Sequence, residues 1–264
     1  MKNSVVNEQY LQLQKNIQKL HDNWVKQLTL VEIKNVEAVP TLQAPIIPQL
    51  EIQINTQQYK NYIQELYELI SATNEELKIE TDKVLALLTD ATLEKWFNEA
   101  LAVNTYYFEK FAKDNSLLEW ILFYGAETAA RPFMQKIVTQ INGSIVKQES
   151  TRSCACCGEP ARLGLVNKEG KKEMYCPRCT FKWVVKMIQC AHCGAETQKV
   201  LRVENDDSAE VQACTTCNQY SKIVDTRKLL RVDAPLILDV KYLHLDYIAQ
   251  DRGYGVEEES NITH

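Results

Sequence analysis

Eight of the nine cysteines form four CxxC pairs, in which two residues separate the two sulfurs. The pairs are Cys154 with Cys157, Cys176 with Cys179, Cys190 with Cys193, and Cys214 with Cys217. Eighteen residues separate the first pair from the second and twenty separate the third from the fourth, so the motif is an internal repeat. Two CxxC turns at the ends of a hairpin can direct four thiolates at one ion, which suits tetrahedral zinc or a single iron. The sequence therefore predicts two tetrathiolate metal sites.

Two pairings of the four CxxC turns are compatible with the spacing. In the sequential pairing, the first pair joins the second and the third joins the fourth. In the crossed pairing, the first joins the third and the second joins the fourth. Sequential pairing closes shorter loops and is favoured on that ground.

The residues around the cysteines refine this prediction. Gly158, Gly194 and Asn218 each follow the second cysteine of a pair, where a metal-binding turn often needs a positive φ, whereas Thr180 does not fit that rule. His192 lies inside a CxxC turn and is interpreted as an exposed turn residue, not as a ligand. Cys156 is the cysteine left over, and it is either a small turn residue or an accessory thiol beside the first site.

Composition and the remaining residue types exclude several function classes. The net charge is -5, and residues 151–264 carry 16 Lys and Arg against 16 Asp and Glu, which argues against a nucleic-acid-binding protein. No apolar run of about 18 residues and no signal peptide is visible, so we expect a cytoplasmic protein without membrane insertion. In a reducing cytosol, grouped cysteines bind metal more often than they form disulfides. No hydrolase or phosphate-binding motif occurs, so we do not expect an enzyme.

The elements that must position the cysteines follow from the hydrophobic patterns. Residues 1–150 contain no cysteine and show helical periodicity, interrupted by three prolines between Pro40 and Pro48. Short alternating runs with turn signals follow and predict strands, among them "ARLGLV", "KWVV" and "YSKIVD". A last amphipathic stretch predicts one helix of about five turns, with Asp233 as its N-cap and Gly253 after its end.

These patterns predict an α+β fold in four parts. The predicted parts are a helical domain (1–150), a first metal ribbon (151–188), a second metal ribbon (189–231), and a C-terminal helix and tail (232–264). The two ribbons are rubredoxin-like or zinc-ribbon modules in tandem. Segments of this size cannot build a core of their own, so the ions would supply much of their folding energy.

Residues 152–256 carry motifs beyond the cysteines. The stretches "CACCGEPARLGLVNKEGKKEMYCPRCTFKWVV", "YSKI" and "LHLDYIAQDRGYG" occur in the order found in the FdhE family of formate dehydrogenase accessory proteins, which this region resembles. The resemblance implies a non-catalytic maturation factor that binds the catalytic subunit of a respiratory formate dehydrogenase. It also implies two rubredoxin-type iron or zinc ions as cofactors. The alternatives are a rubredoxin-like electron carrier and, less favoured, a zinc-ribbon nucleic-acid-binding protein.

The same resemblance implies roles for individual residues. Cys154, Cys157, Cys176 and Cys179 would hold the first ion, and Cys190, Cys193, Cys214 and Cys217 the second. Asp239 and Asp246 match acidic positions of the family's terminal helix, where they would either support the metal domain or contact the client enzyme. The family's first turn commonly has proline after the first cysteine, whereas this chain has Ala155 and Cys156 between its two ligands.

Overall fold

The structure, a computed structural model, describes residues 6–142, 145, 153–204 and 206–255. The chain divides into two compact units, one formed by Leu13–Val146 and the other by Lys147–His264 together with Met1–Gln12. The predicted boundary between residues 150 and 151 and the tail from residue 256 lie outside the described residues, so the division into four parts stays a prediction. None of the described helices combines the length and the apolar character needed to cross a lipid bilayer.

Six α-helices precede residue 142 in the part of the chain that the structure describes. They are α1 (Glu8–Gln27), α2 (Thr56–Ser71), α3 (Glu75–Ala86), α4 (Asp90–Leu101), α5 (Thr105–Asn115) and α6 (Glu119–Ile141). The proline-rich segment between α1 and α2 contains two short 3-10 helices, Val36–Thr41 and Ile47–Gln49, and the paired strands β1 (Glu32–Ile33) and β2 (Ile52–Gln53). The helical prediction for this half of the chain is confirmed.

Polar side chains set the starts of four consecutive helices. Asn55, Asn74, Thr89 and Asn104 precede α2, α3, α4 and α5, and each accepts a hydrogen bond from the backbone N–H three residues later. Such caps satisfy backbone donors that have no partner within the helix. The helix boundaries therefore follow from local sequence.

Aromatic side chains from α2, α4 and α6 form the centre of the helical unit. The rings of Tyr59, Phe97 and Phe133 meet edge to face, with centroids 5.4 to 6.0 Å apart. Tyr67 packs against Gly125 of α6, where a Cβ atom would overlap the tyrosine ring, and its hydroxyl donates to the Ile121 carbonyl over 2.9 Å. Glycine at position 125 thus allows α2 and α6 to approach closely.

The second unit contains one six-stranded sheet. Its strands are β3 (Leu163–Val166), β4 (Lys172–Tyr175), β5 (Lys182–Val185), β6 (Gln198–Val203), β7 (Asp206–Cys214) and β8 (Tyr220–Asp225). Their order in the sheet is β5-β4-β3-β8-β7-β6, so each repeat forms an antiparallel ribbon of three strands. The two ribbons join where β3 and β8 pair in parallel, with Gly164 opposite Ile223. The predicted α+β fold class is confirmed, while the shared sheet was not predicted.

The C-terminal helical segment was predicted correctly, but as a single helix beginning at an Asp233 cap. The structure has two helices, α7 (Pro235–Lys241) and α8 (His244–Asp251), and Ala234 occupies the N-cap of α7. Gly253 has φ +81°, as expected after a helix end. Apolar residues of the two helices and of the turn between them pack on the sheet: Leu238, Tyr242, Leu245 and Ala249 belong to one buried cluster with Leu163, Val211 and Val224.

A buried histidine in the helical unit gives this fold a dependence on pH. His21 is buried near Gln135, and burial, with a smaller contribution from the positive charge of Arg131 that the Glu127 carboxylate opposes, lowers its pKa from 6.5 to about 4. Because the folded-state pKa lies below the unfolded value, protonation below pH 6.5 favours the unfolded chain, and the loss is complete near pH 4.

We therefore expect the wild-type protein to lose about 2 kcal/mol of unfolding free energy through His21 between pH 7 and pH 5. The variant His21→Gln keeps a polar side chain but cannot take up this proton, so its stability should fall less over the same interval. Urea unfolding followed by far-ultraviolet circular dichroism at both pH values measures the difference. Equal losses in the two proteins would contradict the assignment.

Candidate metal centres

The first cysteine group comprises Cys154, Cys157, Cys176 and Cys179, whose sulfurs all lie within 4.8 Å of one another. The Sγ atoms of Cys154 and Cys179 are 3.5 Å apart, and those of Cys157 and Cys176 are 3.4 Å apart. A tetrahedral ion with metal–sulfur bonds of about 2.3 Å places its ligands about 3.8 Å apart, whereas the bond of a disulfide is about 2 Å long. All four side chains are buried, so the group could enclose an ion completely.

The second group comprises Cys190, Cys193, Cys214 and Cys217, with the same limit of 4.8 Å between sulfurs. The Sγ atoms are 3.8 Å apart for Cys190 and Cys217 and 3.7 Å apart for Cys193 and Cys214. Cys193 and Cys217 are only partly buried. The structure thus brings the turns together in the sequential pairing, and the second group lies closer to solvent than the first.

All four CxxC turns share one backbone geometry. Residues Gly158, Thr180, Gly194 and Asn218 donate their N–H to the carbonyl of the first cysteine of the turn over 2.9 to 3.0 Å, and all four have positive φ. The N–H of that first cysteine in turn donates to the carbonyl five residues later. Thr180, which the sequence did not identify as a turn residue of this type, therefore adopts the same conformation with φ +64°.

Hydrogen bonds lower the pKa of one thiol in each group. In the first group, the neighbouring thiols, with Cys156 the largest contributor, hold the pKa of Cys154 below its usual value. In the second, burial opposes ionisation of Cys214, but the backbone N–H groups of Cys217 and Thr216 and the Thr197 hydroxyl together lower its pKa to about 6. Thiolates are the form of cysteine that binds metal, so the N–H groups and the hydroxyl around Cys214 favour the ligating form of its sulfur.

Cys156 lies beside the first group and is completely buried. Its thiol interacts with those of Cys154 and Cys179, and the hydrogen bond with Cys154, together with burial, raises its pKa above the usual value. A client protein or a thiol reagent cannot reach the sulfur in this conformation. The position is therefore suited to a filler residue or to a reserve ligand, and not to a surface nucleophile.

Asp239 and Asp246 contact one buried ammonium. Lys222 of β8 lies 2.6 Å from the Asp239 carboxylate and 2.7 Å from that of Asp246. Asp239 belongs to α7 and Asp246 to α8, so Lys222 connects β8 to both terminal helices.

This ion cluster continues toward the first cysteine group. The guanidinium of Arg162 lies 3.2 Å from the Asp239 carboxylate and 2.6 Å from that of Glu159. The Glu159 carbonyl accepts the N–H of Cys154 over 2.7 Å. The terminal helices are thus connected to the first metal turn through charged side chains, which favours a supporting position for both aspartates.

His192 is buried, contrary to its interpretation as an exposed turn residue. Its Nε2 lies 3.0 Å from the Tyr220 carbonyl and 3.2 Å from the Ser221 hydroxyl, which itself donates to the Ala161 carbonyl. The imidazole therefore connects the third CxxC turn to β8. Long-range packing of this kind leaves no signal in the local sequence.

Two buried cations near the cysteine turns were not predicted. Arg178, inside the second CxxC turn, donates to the Cys157 carbonyl over 3.4 Å. Lys172 of β4 reaches the segment that precedes Cys190. The alternation of "KEMY" places Lys172 on the same face as the buried Met174, and this pattern is the signal from which an inward-facing lysine could have been inferred.

The chain thus combines a helical unit with a second unit, here called the metal-ribbon unit, which contains β3–β8, α7 and α8. The metal-ribbon unit carries both tetracysteine groups. No family model matches the chain. Two curated relatives, the FdhE homologues of Aquifex aeolicus and Pseudomonas aeruginosa, are each 28% identical to it over 123 residues. These matches cover 41% and 42% of this chain and 40% of each relative, so the chain matches about two fifths of their length.

A solved structure extends the similarity to most of the chain. The crystal structure of the FdhE protein from Pseudomonas aeruginosa matches with a TM-score of 0.70 at 18% identity, covering 93% of this chain and 86% of that one. At this identity the match establishes the shared fold. The sequence matches and the shared fold both agree with the resemblance to FdhE proteins that the motifs of residues 152–256 indicate.

We expect Cys154→Ser and Cys193→Ser each to lower the metal content from two ions per chain to one, because each removes one sulfur from a different group. The loss of a structural ion should also lower the midpoint of thermal unfolding by about 10 °C or more. Elemental analysis of anaerobically purified protein, with calorimetry, measures both effects. Retention of two ions in either variant would refute the ligand assignment.

Cys156→Ser is the matched control for these variants, since it removes a thiol from the same turn but from outside the tetrahedral set. It should keep two ions per chain. If it lost one ion while Cys154→Ser kept both, Cys156 and not Cys154 would be the ligand.

Asp239→Ala should destabilise the protein by about 2–4 kcal/mol, because it leaves Lys222 with one of its two carboxylates in a buried environment. Asp207→Ala is the control: Asp207 also pairs with a lysine, Lys228, but its side chain is 86% exposed, and its removal should change stability by less than about 0.5 kcal/mol. Chemical denaturation of both variants gives the comparison. Equal stability of the two would remove the supporting role assigned to Asp239.

Proposed function

We propose that this protein is a cytoplasmic accessory protein that binds and matures the catalytic subunit of a formate dehydrogenase. The observation that carries the proposal is an FdhE fold over 93% of the chain, combined with sequence similarity to FdhE homologues and with two complete tetracysteine groups.

The eight cysteines fit iron or zinc as resident ions. Soft thiolates in tetrahedral sets select these metals over magnesium or calcium, and the separations of 3.4 to 3.8 Å between paired sulfurs suit such a set. An iron ion would add one-electron chemistry, whereas zinc would act only as a cross-link. The chain's own residues hold the sulfurs in place through the four matching turns and their N–H groups.

Asp239 and Asp246 act in this proposal as supports of the metal-ribbon unit. Both carboxylates are occupied by Lys222, and Asp246 also accepts the Tyr220 hydroxyl over 3.0 Å. A carboxylate already engaged by a buried ammonium is poorly placed to bind a client as well. We therefore assign client binding to other residues of this unit.

A rubredoxin-like electron carrier is the second candidate, and one observation favours it. Cys193 and Cys217 of the second group are partly exposed, so an iron ion there would lie near the surface, as electron exchange with a partner requires. Metal analysis with visible absorption separates the two functions. A colourless, zinc-loaded and redox-inactive protein would rule out the carrier.

The direct test is affinity purification of the tagged protein from its own host, grown under conditions that induce formate dehydrogenase. We expect the catalytic subunit of that enzyme to co-purify. The double variant Cys154→Ser/Cys193→Ser should capture much less, since both ribbons would lose their ion, while Cys156→Ser should capture a normal amount.

Deletion of the gene provides an independent measurement. Formate oxidation should fall at least tenfold in the deletion strain and return when the wild-type protein is supplied. Undiminished formate dehydrogenase activity after deletion would count against the proposed function, whatever proteins co-purify.

A further inference from the structure

Lys172 is a buried lysine whose ammonium contacts only neutral oxygens. It donates to the Met187 carbonyl over 3.2 Å, to the Gln189 carbonyl over 2.8 Å and to the Gln212 side-chain oxygen over 2.9 Å. Its side chain is 1% exposed. A charged group removed from water in this way costs several kcal/mol unless an opposite charge lies near it.

The other fully buried lysine of the metal-ribbon unit shows how such a cost is usually offset. Lys222 is also 1% exposed, but two carboxylates lie within 2.7 Å of its ammonium. Lys172 has no hydrogen bond or ion pair to a carboxylate in the described part of the chain. Burial lowers the pKa of Lys172 to about 8, against the opposing effect of the negative groups Cys190 and Glu210.

The contacts of Lys172 place its charge next to the second cysteine group. Gln189, whose carbonyl accepts the shortest of the three hydrogen bonds, directly precedes Cys190. Met187 and Gln189 belong to the segment that links β5 to the third CxxC turn, and Gln212 lies in β7 two residues before Cys214. A lysine of the first ribbon thus holds both chain segments that lead into the second site.

The charge of that site explains why a cation is useful there. A divalent ion with four thiolates has a net charge of -2, and this charge would lie in a partly buried group. At short range in a protein, one positive charge offsets a large part of the cost of burying such a group. Beside the first group the buried cation is a different one, Arg178, which donates to the Cys157 carbonyl over 3.4 Å.

We propose that Lys172 is a positioning residue of the second metal site, which balances part of the negative charge of the metal–thiolate group and fixes the segment entering Cys190. The proposal rests on the ligand assignment made under the proposed function. It predicts that the two sites differ in their dependence on this one side chain, although their ligands are the same.

The test uses Lys172→Met, which keeps the length of the side chain and removes its charge. Competitive titration with Zn²⁺ against a chromophoric chelator measures the affinity of both sites in the full-length protein. We expect the affinity of one site to fall about ten- to a hundredfold, as for other residues that support metal ligands, while the other changes less than threefold. Repeating the titration in Cys154→Ser, which keeps only the second site, should show the whole effect.

Lys222→Met is the matched control, because it removes an equally buried ammonium from the same sheet. It should lower the stability of the protein without weakening the second site selectively. Lys172→Arg retains the charge and should bind within about fivefold of the wild type. If Lys172→Met does not fold, Lys172→Gln, which can still donate hydrogen bonds, gives the same comparison of charged and neutral side chains.

Three outcomes would overturn the proposal: unchanged affinity at both sites, equal weakening of both sites, or equal loss in the arginine and the neutral variants. In an iron-loaded protein, removal of the positive charge should also make the midpoint potential of the second site more negative, and an unchanged potential would refute the electrostatic role. Failure of the wild type to bind two ions would instead refute the ligand assignment, so the two ideas fail separately.

Discussion

Convergence of four sulfurs at each of two points is the constraint on which the metal-ribbon unit depends. The strands of the first ribbon are only four residues long, and its core cluster includes small side chains such as Ala161 and Ala191. Ribbons of this length bury too little apolar surface to hold themselves together. Metal–thiolate bonds can supply the missing energy because they form only when both CxxC turns are in place. The shared turn geometry around all four pairs follows from this requirement.

The parallel pairing of β3 with β8 joins the two repeats into one sheet. Two independent ribbons would each expose strand edges, which are prone to pair with other chains, whereas the parallel contact covers one edge of each. Gly164 lies against the Ile223 side chain in this contact, and a Cβ there would require the end of that side chain to shift. Two buried cations add further connections. Lys222 joins β8 to both terminal helices, and Lys172 of β4, in the first repeat, reaches the segment that enters the second site. The ribbons therefore form one structural unit with two sites.

The parts of this structure that the sequence predicted are those fixed by local spacing. CxxC intervals specify which cysteines can meet, and the alternation in "YSKIVD" and the helical periodicity before residue 142 specify elements. The sequence did not predict the parallel β3–β8 contact, the buried His192 or the break at Tyr242 and Leu243, because each depends on residues distant in the chain. His192 contacts the Tyr220 carbonyl, and both helices of the broken segment contact Lys222 of β8. Such positions look like ordinary polar surface residues in a single sequence.

Identical ligands do not make the two sites equivalent. The first is enclosed, has a fifth cysteine in contact with its sulfurs, and is joined through Glu159 and Arg162 to the terminal helices. The second has two partly exposed sulfurs and a buried lysine that approaches from the other ribbon. Solvent access and nearby charge both control how readily a metal–thiolate group exchanges its ion or an electron. An enclosed ion suits a structural cross-link, whereas the partly exposed sulfurs of the second group would leave an ion there closer to solvent.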